Sequence, residues 1–132
     1  MDKKAHSPLV ESVLCLIEKD FPFLEGVEGL AEQLGVSKYH LIRAFGREVG
    51  LSPGVYLQRR KLKAACLLLA GRSYPVEAVA KMIGFSSSSY FGKVFRKTYG
   101  KSPVEYRLSQ QGKELTWEEE LETQKLESIF HL

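Results

Sequence analysis

The feature that most constrains this chain is an internal repeat. Ala31, Gly35 and Ser37 return 49 residues later as Ala80, Gly84 and Ser86, while Phe45, Gly50, Ser52, Pro53 and Tyr56 return 50 residues later as Phe95, Gly100, Ser102, Pro103 and Tyr106. The change of offset puts one extra residue into the second copy, near the start of a helix. Agreement in turn glycines, capping residues and buried aromatics is the mark of a duplicated supersecondary unit. Within each copy a short apolar-faced helix meets a glycine, which suits the left-handed conformation just past a helix end. A serine two residues on then caps the next helix, and two helices joined by so tight a turn form a helix-turn-helix.

In chain order, Ser7-Pro8 opens a predicted helix over residues 8–20 carrying Leu9, Val13, Leu16 and Ile17, and Phe21-Pro22-Phe23 ends it. A short helix follows over 27–34, with Leu30, Ala31 and Leu34 on one face. A second runs over 38–49 with an inner stripe of Leu41, Ala44, Phe45 and Val49. Ser52-Pro53 starts a long helix to about residue 70, on the order of 26 Å at ~1.5 Å per residue, with Gln58, Arg59, Arg60, Lys61 and Lys63 expected to be wet. The repeat then restarts with helices over 75–83 and 87–99. Phe91, Val94 and Phe95 form the inner stripe of the latter, and Ser102 with Glu105 makes a capping box for another helix. The reading is an all-α fold of about seven helices: a first helix-turn-helix subdomain (1–50), a linking helix (51–71), a second helix-turn-helix subdomain (72–112) and an acidic helical tail (113–132).

Charge sharpens this division. Residues 1–112 hold 17 of the 19 Lys/Arg and 10 of the 16 Asp/Glu, a balance of +7, whereas residues 113–132 carry −4. A basic body suits a polyanionic partner. No apolar run approaches the ~20 residues of a membrane span, and Met1-Asp2-Lys3-Lys4 precedes no secretory core, so a cytoplasmic protein without a membrane partner is expected. Cys15 and Cys66 lie far apart among leucines and read as buried hydrophobes in a reducing compartment. His6, His40 and His131 are scattered, no Cys/His cluster has metal spacing and no glycine-rich phosphate loop follows a strand. The expectation is therefore no enzyme, no metal and no cofactor.

Tyr56-Leu57, Lys61-Leu62, Ala65, Leu68-Leu69, Val79-Ala80, Gly84-Phe85, Ser89-Tyr90-Phe91, Lys93, Phe95-Arg96, Gly100, Ser102-Pro103 and Tyr106-Arg107 together resemble the signature of the AraC/XylS family of bacterial transcription regulators. The resemblance covers roughly residues 8–108. It implies a sequence-specific regulator of double-stranded DNA, acting as an activator through contacts with RNA polymerase. Two recognition helices, 37–49 and 87–99, would enter successive major-groove faces, with the linking helix setting their separation. The linking helix departs from the family pattern in carrying Lys61 where arginine is usual.

By the same resemblance, Tyr39, Ile42 and Arg43 of the first helix, and Ser88, Ser89, Gly92 and Lys93 of the second, stand where bases are met. The chemistry agrees. Arg43 can bond guanine O6 and N7 bidentately, and Ile42 can touch a thymine methyl. Ser37 caps the first reading helix, while Lys38 and Arg47 suit phosphates, which fix position rather than sequence. The run Ser86, Ser87, Ser88, Ser89 reads as a helix N-terminus whose hydroxyls and free N–H groups suit phosphate, with Lys93 and Arg96 facing the nucleic acid. Because Ser88, Ser89 and Gly92 are short, the first helix is expected to carry more of the base discrimination. The tail opens on a second capping box, Thr116 to Glu119, with an irregular apolar side of Trp117, Leu121, Leu126, Ile129 and Phe130. It is read either as packing on its own domain, as a self-association or partner contact, or as an acidic arm competing with DNA. An alternative for the whole chain is a protein-interaction module that keeps the fold without strong DNA reading. No effector-sensing domain is evident, which fits a short stand-alone regulator or a piece of a longer one.

Overall fold

The computed structural model describes residues 5–129, and among these the secondary structure is entirely helical. Eight α-helices run in order: α1 (Pro8–Asp20), α2 (Val27–Leu34), α3 (Lys38–Val49), α4 (Pro53–Gly71), α5 (Val76–Met82), α6 (Ser88–Tyr99), α7 (Pro103–Ser109) and α8 (Trp117–Ile129). The expected helices are all present. Phe21-Pro22-Phe23 does end α1, through one 3-10 turn (Phe21–Phe23) that buries Phe21 and Pro22. Met1 to Lys4, Phe130 and His131 lie outside the described residues.

Helix ends follow the local chemistry read from the sequence, except that α6 is capped by Ser87 where the repeat pointed to Ser86. Ser7 Oγ accepts the Val10 amide, Ser37 Oγ that of His40, Ser52 Oγ that of Val55 and Ser87 Oγ that of Tyr90. The Ser102–Glu105 and Thr116–Glu119 boxes are closed in both directions. Gly35, Gly50 and Gly100 sit at φ of 67°, 87° and 75°, a region that side chains with a Cβ rarely enter.

The chain forms two compact units, residues 1–60 and 61–132. In the first, α1, α2 and α3 pack against one another around Val10, Val13, Ile17, Leu30, Leu41 and Phe45, and Tyr56 meets the Phe45 ring edge-on at 5.6 Å. The Arg60 guanidinium stacks over Phe21 and takes Glu18 bidentately at 2.9 and 3.0 Å. In the second, α5, α6 and α7 surround Phe91, Phe95 and Ile83, and the rings of Phe85, Phe91, Phe95, Tyr99 and Tyr106 form a continuous chain of tilted and edge-on contacts.

Five sequence expectations need correction, beginning with Arg60, whose side chain is not wet but 13% exposed against Glu18 and Phe21. Lys61 is not wet: it is 7% exposed, and its amine donates to the Gly84 carbonyl at 3.0 Å while lying 5.9 Å from the Phe85 ring. A buried ammonium is tolerated only with such partners, and the helical period alone cannot reveal one 23 residues away. Cys15 is exposed, because Val10, Val13 and Ile17 occupy the inner face of α1, leaving Leu9 and Leu16 at its half-buried edges. Cys66 is half-buried, and burial pushes its thiol up, away from the reactive thiolate. Finally, Trp117 and Leu121 of the tail face solvent while Thr123 and Leu126 are buried.

The tail belongs to the second unit and is held there by ions. Arg72, just past α4, bonds both oxygens of Glu120 and both of Glu127, and its Nη1 also reaches the Gly71 carbonyl. The Tyr74 hydroxyl donates to Glu127 as well. Leu115 lies so close to Gly71 that a Cβ there would stand 2.3 Å from its Cδ1, so the approach of the tail depends on glycine. Arg72 first, then Gln124, pull the Glu120 carboxyl down to about 2; Glu127 is likewise held low, by Arg72 and then Tyr74.

Two outcomes follow from these contacts. Carboxyls that titrate lower when folded than their ordinary 4.5 stabilise the fold above about pH 4.5 and lose that effect as pH falls toward 2. Thermal melts from pH 6 to 3 should therefore show a smaller acid-induced drop in Arg72→Met than in the parent; equal drops would remove this role from Arg72. Lys61→Met deletes the donor to Gly84 and should lower the urea-derived stability by about 1–3 kcal/mol.

Candidate nucleic-acid interface

The outward surface of each unit's second helix is set by which residues its core takes. On α3, Leu41 and Phe45 are fully buried, so Tyr39, Arg43 and Arg47, spaced four apart, form the opposite stripe, and all three are exposed. Tyr39 is 72% exposed on this stripe. Ile42 is 38% exposed at the flank of this stripe, neither core nor fully outward. Among the described residues neither Arg43 nor Arg47 forms an ion pair or a hydrogen bond, so both guanidinium groups are available. Lys38 is half-buried, with its amine 3.3 Å from Glu28 Oε2 and 5.5 Å from the Tyr39 ring centroid. Ser37 stands at the cap, its hydroxyl accepting the His40 amide.

The second unit repeats the frame with different chemistry. Phe91 and Phe95 are buried, so Ser89, Lys93 and Lys97 make the outward stripe of α6. The cap is Ser87, not Ser86: the helix begins at Ser88 and matches α3 at a constant offset of 50. The extra residue of the second copy therefore lies in the turn, between Gly84 and Ser87. Ser86, Ser88 and Ser89 are exposed around this N-terminus. Beside Gly92 there is open space, with nothing within 4 Å of where a Cβ would lie. Packing inside the protein thus gives no reason for a glycine there.

Arg96, like Lys38, already has a carboxylate partner, unlike Arg43, Arg47 and Lys93. Its Nη1 lies 2.8 Å from Glu105 Oε1, the same oxygen that accepts the Ser102 amide in the α7 capping box. The backbone of Ser102 first, and then the Ser102 hydroxyl, with the Arg96 charge adding less, hold Glu105 below its usual range. The structure also exposes His40, Tyr90 and Lys97 on these outward faces, which the motif-based reading passed over. Their signal was in the spacing, since Tyr90 and Lys97 stand three residues before and four after Lys93. The hollow on the first unit lined by Glu25, Glu28 and Glu32 has the wrong charge for phosphate.

Comparison with known proteins bears on the family and the fold. The helix-turn-helix domain family matches residues 30–109, and an HTH-type transcriptional regulator of Haemophilus influenzae is 39% identical over 83 residues, 63% of this chain. The transcriptional activator AarP of Providencia stuartii is 32% identical over 106 residues, 80% of this chain. The chain spans 28% of the length of the Haemophilus relative and 78% of AarP. Among solved structures, the C-terminal domain of AraT, a response regulator of Geobacillus stearothermophilus, superposes with a TM-score of 0.78 at 31% identity, covering 86% of this chain and 94% of that domain. The DNA-binding domain of the transcription factor AdpA, solved with a target DNA, gives 0.69 at 31% identity, covering 78% and 92%.

Proposed function

The chain belongs to the AraC/XylS type of helix-turn-helix transcription regulators, and on that premise we propose that it binds a specific double-stranded DNA site and activates transcription. The observation that carries this reading is the α3 face, where Tyr39, Arg43 and Arg47 project together and both guanidinium groups are uncommitted. Arg43 reads a guanine through O6 and N7, and Ile42 lies against a thymine methyl. Tyr39 and Arg47 hold sugar and phosphate, which fixes the register of the helix on the duplex, while Lys38 is shared with Glu28. In the second unit the free N–H groups and hydroxyls at Ser87 to Ser89 receive a phosphate, and Lys93 adds a mobile positive charge. With side chains as short as Ser88 and Ser89, α6 contributes affinity more than base discrimination. The two recognition helices take major-groove faces of one asymmetric site.

The bound DNA of the AdpA domain and the activator role of AarP support the assignment to DNA and to activation. The family is one of regulators rather than enzymes. No helix among the described residues is long and apolar enough to cross a membrane, which fits a cytoplasmic site of action. Contact with RNA polymerase supplies the activating step.

Selection from a random duplex pool, followed by titration of the winner and a scrambled duplex, tests this directly. Binding should weaken linearly in log–log form with salt, with a slope of roughly −0.9 per phosphate contacted. Arg43→Ala should cost about 1–3 kcal/mol on the selected duplex and little on the scrambled one. Salt-independent binding, or indifference to Arg43→Ala, would sink the proposal in favour of a protein-interaction module. Gly92→Ala separates fold from contact. In an exposed helix alanine should stabilise by roughly 0.5–1 kcal/mol, yet DNA affinity should fall if backbone and duplex approach closely there.

A further inference from the structure

We propose that Lys97, and not Arg96, is the second phosphate-binding cation of α6, because Glu105 holds Arg96 off the nucleic acid. The inference rests on the DNA-binding reading above. It starts from the constant offset of 50 between α3 and α6, which pairs Arg43 with Lys93, Arg47 with Lys97 and Gly46 with Arg96. The first unit therefore carries cations at the 43 and 47 positions and none at the 46 position. Its outward stripe of Tyr39, Arg43 and Arg47 is repeated as Ser89, Lys93 and Lys97. Among the described residues Lys97 forms no ion pair or hydrogen bond, so its amine is free to follow a phosphate.

Arg96 is placed differently. Glu105 is already fixed by its bond to the Ser102 amide at 2.7 Å, so its carboxylate stands oriented before Arg96 arrives at 2.8 Å. The pair presents no net charge. A phosphate drawn to Arg96 would also meet the Glu105 carboxylate, which the helix cap keeps in place. Both partners are solvent-exposed, so the ion pair itself adds little stability; its effect is on where positive charge is offered. Glu105 thereby acts on DNA binding as a positioning residue, through Arg96.

The salt dependence of binding counts phosphate contacts and so distinguishes the two cations. Fluorescence anisotropy with the selected duplex should be run over a salt series on the parent, Lys97→Met, Arg96→Met and Glu105→Gln. Glutamine keeps the capping box, so the last variant retains α7 while releasing Arg96. Lys97→Met should flatten the log–log slope by about 0.9, Arg96→Met should leave it within about 0.2, and Glu105→Gln should steepen it by up to about 0.9. A slope flattened as much by Arg96→Met as by Lys97→Met, or unmoved by Lys97→Met or Glu105→Gln, overturns the assignment. The parent's own slope and its preference for the selected duplex report separately on whether the chain binds DNA specifically at all.

Discussion

The second unit depends on one buried charge. The Lys61 amine reaches the carbonyl of Gly84, the first residue of the turn that leads into α6, and sits beside the Phe85 ring of the same turn. An ammonium removed from water this far must be compensated locally, so the α4 stem and the turn are held in one arrangement. Phe85 then contacts Phe91, and the aromatic chain runs on through Phe95 to Tyr99 and Tyr106. The face that α6 presents outward is thus fixed from behind. In the first unit the neighbouring residue, Arg60, makes a comparable anchor with Glu18 and Phe21.

Duplication preserved the frame and let the two faces diverge. Caps, terminal glycines and buried rings coincide at fixed offsets, since each satisfies a requirement of helix ends or packing that both units share. Outward residues satisfy none of these requirements. Tyr39, Ile42 and Arg43 become Ser89, Gly92 and Lys93, exchanging bulk and a planar fork for short side chains and a point charge. On that contrast rests our proposal that base discrimination falls to the first unit and backbone affinity to the second.

The tail shows how a net charge can mislead. Its excess of glutamates suggested an arm that competes with DNA for the basic body. In the folded chain Glu120 and Glu127 are matched to Arg72, and Thr116 and Glu119 close a helix cap. Such pairing reduces the negative charge available to compete, while the buried Leu126 and the close approach of Leu115 to Gly71 add packing. These contacts match the simplest of the three sequence readings, a helix packed on its own domain.

What the sequence determined by itself was everything set within a few residues. Ser37 meets the His40 amide three positions away, Gly50 and Gly100 turn the chain through a positive φ that favours glycine, and the apolar period of α3 and α6 selects Phe45 and Phe95 for the core. Helix order, the repeat and most of the outward face were therefore legible. Tertiary structure alone decided which charged side chains had partners. Lys61 finds Gly84 across 23 residues, Arg72 finds Glu120 across 48 and Glu127 across 55, and no local pattern encodes such distances. The same limit explains Arg96, whose helical position predicts exposure but whose engagement with Glu105 depends on how α7 packs against α6. A side chain's direction is fixed by its own helix, whereas its electrostatic environment is supplied by whatever the fold brings beside it.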